Sequence, residues 1–351
     1  MNPLIQHTET SDGVRIAYYT MGRGVPFVAT SMLLWGHLGN TLVFKEHYRS
    51  HSPGGLGRGM QVVRYDARGT GLSDRDAIDF SIEAQTLDLE AVLRALALER
   101  FALFGRIAGC PLAMTYAAKH PERVSHLILA EPLARAGDLP AAPAMVGMEP
   151  SRSMSPDQWE AFTLALASVS MGYSSPSLAR SVARNYRDAM TPASHAAYHE
   201  WRTSFDASAC LGEIQAPTLI LSPRRPHYPS VANQVASSIA GARILTVAAD
   251  LVISGRWLPA ETEAVEEFLG LAPARAAPAI EDKAADAPRH LTRREMEVLA
   301  LVVAGRSNRE IAGNLSLSER TVARHIANMY EKLSLHGRAE ITAYAVRHGL
   351  V

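Results

Sequence analysis

The chain has 351 residues and its charges cancel, 35 Lys and Arg against 35 Asp and Glu. That length exceeds one core of ordinary size, so two domains are expected, at least one burying a full sheet. Two cysteines, Cys110 and Cys210, show no metal-ligand spacing; with no leader pattern in Met-Asn-Pro-Leu-Ile-Gln-His and no run of roughly 18 apolar residues, a disulfide scaffold, a metal centre and a membrane span are set aside and a cytoplasmic protein without cofactor is expected.

Short β-branched and aliphatic runs alternate with helix-period stretches in the first 270 residues, the pattern of a parallel sheet with crossover helices. The strand candidates are Phe27 to Thr30, Val62 to Tyr65, Phe101 to Phe104, Leu127 to Ala130, Thr218 to Leu221 and Ile244 to Val247. Between the fourth and fifth lies an insert, about residues 139–208, that holds Met, Trp and Tyr but no strand signal. It reads as a helical cap over one end of the sheet.

Phe101-Ala102-Leu103-Phe104 runs into Gly105-Arg106-Ile107-Ala108-Gly109 and a helix from Pro111 to Lys119. A strand, a sharp glycine-flanked turn and a helix form the setting of a nucleophile elbow. With Tyr65-Asp66-Ala67-Arg68-Gly69-Thr70-Gly71-Leu72-Ser73-Asp74 and Ala117-Ala118-Lys119-His120-Pro121-Glu122-Arg123-Val124, this resembles the α/β-hydrolase family over most of residues 10–270. The resemblance implies a doubly wound α/β sheet with a helical cap. It also implies three catalytic roles, and acyl transfer needs all three: a nucleophile, a histidine that takes its proton and an acid that orients the histidine. The elbow centre is Ile107, which has no nucleophilic atom. The acid column falls at Arg225 or Pro226 and the histidine column at Leu251 beside Asp250, so the resemblance implies an inactive relative rather than an enzyme. Two residues are weighed as stand-ins: Cys110 just past the elbow and Glu131 after the fourth strand. His37, His126, His195 and His227 read as surface or satisfied histidines.

A hydrolase pocket without its catalytic groups is still a concave, apolar site suited to binding. Ser31 and Met32 stand where the family supplies an oxyanion-hole amide, and Ala108 supplies a second, so both are assigned to a small, largely apolar ligand together with Ile107 and Leu251. From the cap, Met145, Met148, Trp159, Phe162, Tyr173 and Trp201 are assigned to the lining, with Met154, Met171, Tyr186 and Tyr198 also available. A Met and aromatic stripe is more often packed core than pocket.

Residues 271–289 are rich in Ala, Pro and charge and lack an apolar period, which marks a linker between a domain over 1–270 and one over 290–351. From Arg289 onward ten Arg and Lys face six Asp and Glu, a net +4 that leaves −4 on the rest. That asymmetry suits a nucleic-acid module, although a solvated surface would look similar. Thr292-Arg293-Arg294-Glu295 and Ser307-Asn308-Arg309-Glu310 are capping boxes that start two helices. The first carries Met296, Leu299, Ala300 and Val303 on one face and ends at Gly305. Ser318 caps a third, with an apolar face of Val322, Ile326, Met329 and Leu333, and a fourth runs from about Arg338 to His348.

A short helix, a turn at Leu315-Ser316-Leu317 and a longer helix with a polar start have the geometry that places a recognition helix in the major groove of double-stranded DNA. Leu291-Thr292-Arg293-Arg294-Glu295, Gly305-Arg306-Ser307-Asn308-Arg309-Glu310-Ile311-Ala312, Ser318-Glu319-Arg320-Thr321-Val322-Ala323-Arg324-His325, Lys332-Leu333 and Arg338 closely resemble the LuxR-type helix-turn-helix over residues 291–351. The family often has Lys after the Thr-Val pair, where this chain has Ala323 followed by Arg324. The resemblance implies a DNA-binding transcription regulator and assigns Ser307, Asn308, Arg309, Ser318, Glu319, Arg320, Thr321, Arg324, His325, Asn328 and Lys332 to DNA, Lys332 to a phosphate. It further implies a homodimer on paired half-sites and RNA polymerase as a possible partner, with no membrane. Two alternatives stay open: the hydrolase-like domain as a dimerisation scaffold only, or an atypical hydrolase with a regulator domain.

Overall fold

The computed structural model describes residues 4–31, 37–38, 59–138, 151–170, 176–223, 228–247, 259–271, 291–303, 306–315, 317–333 and 337–347. The chain divides into two compact units, Met1–Ala274 and Arg275–Val351.

The first unit is built on an eight-stranded sheet: β1 (Gln6–Glu9), β2 (Arg15–Gly22), β3 (Val25–Ala29), β4 (Met60–Tyr65), β5 (Phe101–Arg106), β6 (Val124–Ala130), β7 (Thr218–Pro223) and β8 (Arg243–Val247). The spatial order is β1-β2-β4-β3-β5-β6-β7-β8. From β4 onward every pairing is parallel, whereas β2 runs antiparallel to both β1 and β4. The sheet is therefore mixed, a correction to the parallel sheet expected from the alternation. All six expected strands form, and the additional hairpin turns at Asp12-Gly13, where Gly13 holds φ +84°. Glycine takes that angle without the Cβ clash of other residues.

Strands β5, β6 and β7 read as unbroken apolar runs because both faces of the sheet are covered. One face packs Val28, Leu103, Leu127 and Ile220 against Leu89, Val92 and Leu93 of α1 (Ile82–Ala95), Ala113 and Met114 of α2 (Cys110–Lys119) and Val235 of α6 (Tyr228–Ser238). The other packs Phe27, Ala102, Phe104, Ile128 and Leu219 against Val265 of α7 (Pro259–Phe268). Between β6 and β7 come α3 (Pro156–Ser170), α4 (Pro176–Ala189) and α5 (Pro192–Arg202). Thr191 caps α5 by accepting from Ser194 N at 3.1 Å, and Pro192 fits the first turn, where an amide would be orphaned.

Among the described residues the second unit has four helices: α8 (Arg293–Val303), α9 (Asn308–Leu315), α10 (Glu319–Leu333) and α11 (Arg338–Arg347). Both capping boxes close: Thr292 N donates to Glu295 Oε2 at 2.7 Å while Glu295 N donates to Thr292 Oγ1 at 3.2 Å, and Ser307 N and Glu310 N repeat the exchange at 2.7 and 3.3 Å. The core is Val298, Leu299, Val302, Ile311, Val322, Ile326, Met329 and Ile341. The face of α10 falls where the sequence places it. On α8 the buried stripe is Glu295, Val298, Leu299 and Val302, while Ala300 is exposed, so the expected face is rotated by about one residue. A buried glutamate inside that stripe is what the apolar period could not register. Gly305 and Ser316 lie outside the described residues.

Candidate functional site

The turn after β5 keeps the elbow backbone. Arg106 ends the strand, Ile107–Gly109 form one 3-10 turn and α2 follows at once. Ile107 sits at φ +47°, a conformation that costs a β-branched residue about 1–3 kcal/mol. The neighbouring glycines explain why the turn closes so tightly. A Cβ at Gly105 would stand 2.8 Å from Ala113 Cβ, and one at Gly109 would collide with Thr30 Oγ1. Thr30 Oγ1 itself lies 3.2 Å from Phe104 O and 3.1 Å from Gly109 O, clamping the end of β3 to the turn.

Both residues weighed as stand-ins, Cys110 and Glu131, are buried and bonded within the fold. Cys110 is fully buried, its Sγ 3.6 Å from Ala130 O, and burial pushes its thiol far above the ordinary range. Glu131, also left-handed at φ +53°, accepts from Arg106 Nε at 3.3 Å and Nη2 at 3.1 Å through Oε1. Both partners are almost wholly buried, 5% and 1% exposed, so the carboxylate is held in an internal ion pair directly beneath the turn. Arg225, Pro226, Leu251 and Asp250, the other columns of the triad, lie outside the described residues, as do Met32, Met145, Met148, Tyr173 and Met171. Ser31 is buried, and its Oγ accepts from Ala67 N at 3.2 Å.

The loop after β4 braces the turn and the helices above it. Asp66 accepts from Leu38 N and Leu72 N, each at 2.9 Å, and burial pushes its carboxyl up to about 7 against the pull of those amides. Arg68 is buried between Asp88 and Asp12 at 2.9 and 2.7 Å, and its hydrogen bond holds Asp12 down to about 2. Among the described residues three bonds tie this loop to the insert: Ser194 Oγ donates to Gly69 O at 2.6 Å, Gly71 N to Ala189 O at 2.7 Å and Arg75 Nη2 to Arg187 O at 3.1 Å.

As a result the insert closes on the elbow. Ala108 and Ala67 share one apolar cluster with Phe80, Leu166, Tyr186 and Tyr198, against which Phe162 and Trp201 pack. Of the assigned ligand residues, Ser31, Ile107, Ala108, Trp159, Phe162 and Trp201 are described, and all six are buried or half-buried. Trp159 stacks on Phe162 at 5.7 Å, and the wall of rings continues through Tyr198, Trp201 and Phe205.

His195 stands within that wall, which the sequence did not foresee. It is 4% exposed, with Trp159 at 5.5 Å and Phe162 at 5.4 Å edge-on, and its Nδ1 has no hydrogen-bond partner among the described residues; neither has Trp201 Nε1. Burial, reinforced by His199 and Arg202, lowers the imidazole to about 3. The folded state therefore binds fewer protons than the unfolded state between about 3 and 6.5. Its contribution to stability is full above about 6.5 and falls by about 1.4 kcal/mol per pH unit below it, opposite in sign to that of the raised Asp66 carboxyl. In urea unfolding from pH 7 to pH 4.5, the stability of the native chain relative to His195→Phe should fall by that amount as the pH drops.

In the second unit, Glu319, Arg320, Arg324 and Asn328 are exposed on α10, Thr321 and His325 are half-buried, and Ser307 and Arg309 are exposed at the start of α9, where Asn308 is half-buried. Ser318 caps α10 by accepting from Thr321 N at 3.1 Å. Lys332 is exposed, and its Nζ donates to both Glu295 oxygens at 2.9 and 2.8 Å, so it also joins α10 to α8. Because Glu295 serves both the capping box and this pair, Glu295→Ala should lower the stability of the second unit by about 1–3 kcal/mol, read by thermal unfolding, and Lys332→Met by less. Among the described residues no three His, Cys, Asp or Glu gather to hold a metal, and no helix is long and apolar enough to cross a membrane.

Residues 35–221 match the family described as alpha/beta hydrolase fold, and residues 289–345 match bacterial regulatory proteins of the luxR family. The transcriptional regulatory protein MctR of Rhizobium johnstonii is 44% identical over 61 residues, 17% of this chain and 28% of that protein. The response regulator protein VraR of Staphylococcus aureus is 41% identical over 61 residues, 17% of this chain and 29% of that one. The chain thus spans under a third of the length of the curated relatives it matches. The solved enol-lactonase from Burkholderia xenovorans superposes with a TM-score of 0.61 at 19% identity, over 76% of this chain and 100% of that one. An N-acyl homoserine lactone degrading enzyme does so with 0.57 at 21%, over 75% and 100%. At such identities the likeness is one of fold. The chain belongs to the alpha/beta hydrolase fold family, and over residues 289–345 it carries a domain of the luxR family of bacterial regulatory proteins.

Proposed function

We propose that the chain is a ligand-responsive transcription regulator, in which a catalytically inactive hydrolase-like unit binds a small, largely apolar molecule and the helix-turn-helix unit binds double-stranded DNA. The observation that carries the inactive half is the elbow: Ile107 occupies the strained turn where this fold presents its nucleophile, Cys110 is buried, and Glu131 is bound to Arg106. What remains is an apolar floor beneath an aromatic wall. Ser31, Met32, Ala108 and Leu251 complete the proposed ligand set with Met145, Met148, Tyr173, Trp159, Phe162 and Trp201.

The observation that favours DNA is the polar exposed face of α10, capped at Ser318 and carrying Arg320, Arg324 and Asn328. A homodimer on two half-sites about 34 Å apart follows from the way such modules read DNA, with RNA polymerase a partner of the bound dimer. Ligand acts by favouring one arrangement of the protein over another. The test has two arms. A panel of activated esters should show no turnover with the native chain or with Ile107→Ser, since the single hydroxyl lacks its base. Calorimetry with esters, lactones, steroids and aromatics should find a binder that shifts operator affinity. Turnover in the native chain, or a panel without any binder or effect on DNA, would remove the reading.

A further inference from the structure

The geometry points to His195 and Trp201 as the polar anchors of the ligand site, and to a neutral ring compound bearing a hydroxyl or carbonyl oxygen as the class of molecule they select. This rests on the reading that the first unit binds a small molecule. The two side chains lie on one helix, α5, linked through Tyr198 by ring contacts of 6.4 and 5.8 Å. The rings packed on them are largely apolar: Trp159 and Phe162 beside His195, and Phe205 stacked on Trp201 at 5.2 Å.

A buried polar atom without a partner costs about as much as a lost hydrogen bond, so fold stability alone would favour phenylalanine at both places. Trp201 Nε1 can only donate and therefore calls for an oxygen acceptor. His195 Nδ1 donates or accepts according to tautomer, and so matches either a hydroxyl or a carbonyl. The aromatic wall adds flat apolar surface for a ring. A charged ligand is disfavoured, because the histidine is held neutral by its burial and an ion entering this wall would lose hydration, a cost that Arg202, close enough to lower the imidazole further, offsets only in part for an anion.

The experiment uses the full chain and three probes of one shape: 2-naphthol, naphthalene and 2-naphthoate, titrated calorimetrically. The native chain should bind 2-naphthol at least about ten-fold more tightly than either of the others. His195→Phe should bring 2-naphthol and naphthalene within about three-fold of each other, and Trp201→Phe should weaken 2-naphthol while sparing naphthalene. His195→Gln, which keeps a hydrogen-bonding group, should retain part of the preference and guards against a misfolded phenylalanine variant. Equal binding of all three probes, or a preference unchanged in both anchor variants, overturns the assignment of the anchors and leaves the binding unit standing. Failure of every probe to bind native, folded protein overturns both.

Discussion

Glu131→Ala should destabilise the first unit by about 3–5 kcal/mol, measured by urea unfolding at pH 7. The change leaves the Arg106 guanidinium, 5% exposed, beneath the elbow without its carboxylate. Desolvation of that uncompensated charge, rather than the worth of the pair itself, sets the size of the effect. Arg106→Met combined with Glu131→Gln should therefore be far milder than Glu131→Ala, a sign reversal of the usual additivity. A domain's whole margin is about 5–15 kcal/mol, so the single variant should also express poorly. Should both proteins unfold at the same urea concentration, the pair is not the determinant of this end of the sheet.

Arg320→Ala and Arg324→Ala should each weaken operator binding by about 1–3 kcal/mol, roughly 5- to 150-fold, in a fluorescence anisotropy titration. Both residues are exposed on α10, whose opposite face is locked by Val322, Ile326 and Met329. Truncation therefore removes a DNA contact without loosening the helix. The two roles separate by salt: a phosphate contact lowers the slope of log affinity against log salt by about one, whereas a base contact changes preference at one position of the site. Lys332→Met should leave that slope nearly as it was, because its ammonium is already paired with Glu295.

Much of the fold was legible because the signals were local and strong. The central strands carry short, largely apolar runs that a sheet buried on both faces demands, and the caps at Thr292, Ser307 and Ser318 announce their helices directly. The β1-β2 hairpin escaped because β1 is mostly exposed and β2 buries four consecutive residues, Ile16 to Tyr19, so neither alternates cleanly; the Asp12-Gly13 turn was the available signal. The elbow could be read from its two glycines, yet nothing in the sequence ties Arg106 to Glu131, which are 25 residues apart. For His195 the sequence left surface and satisfied core both open, because its burial is imposed by Trp159 and Phe162 on another helix.

The angle at Ile107 has a consequence for signalling. A turn held about 1–3 kcal/mol above its relaxed state is a small energy store in the floor of the proposed site. If ligand lets β5 and α2 settle into an unstrained turn, that release adds to the ligand's own contacts and biases the equilibrium between two conformations by a factor of about 5 to 150. The same figure is a ceiling on this contribution. In a unit that responds to ligand as proposed, a response steeper than that would draw on the ligand's own contacts or on breaking the bonds that tie Gly69 and Gly71 to the insert, so the strain would set part of the gain rather than the direction.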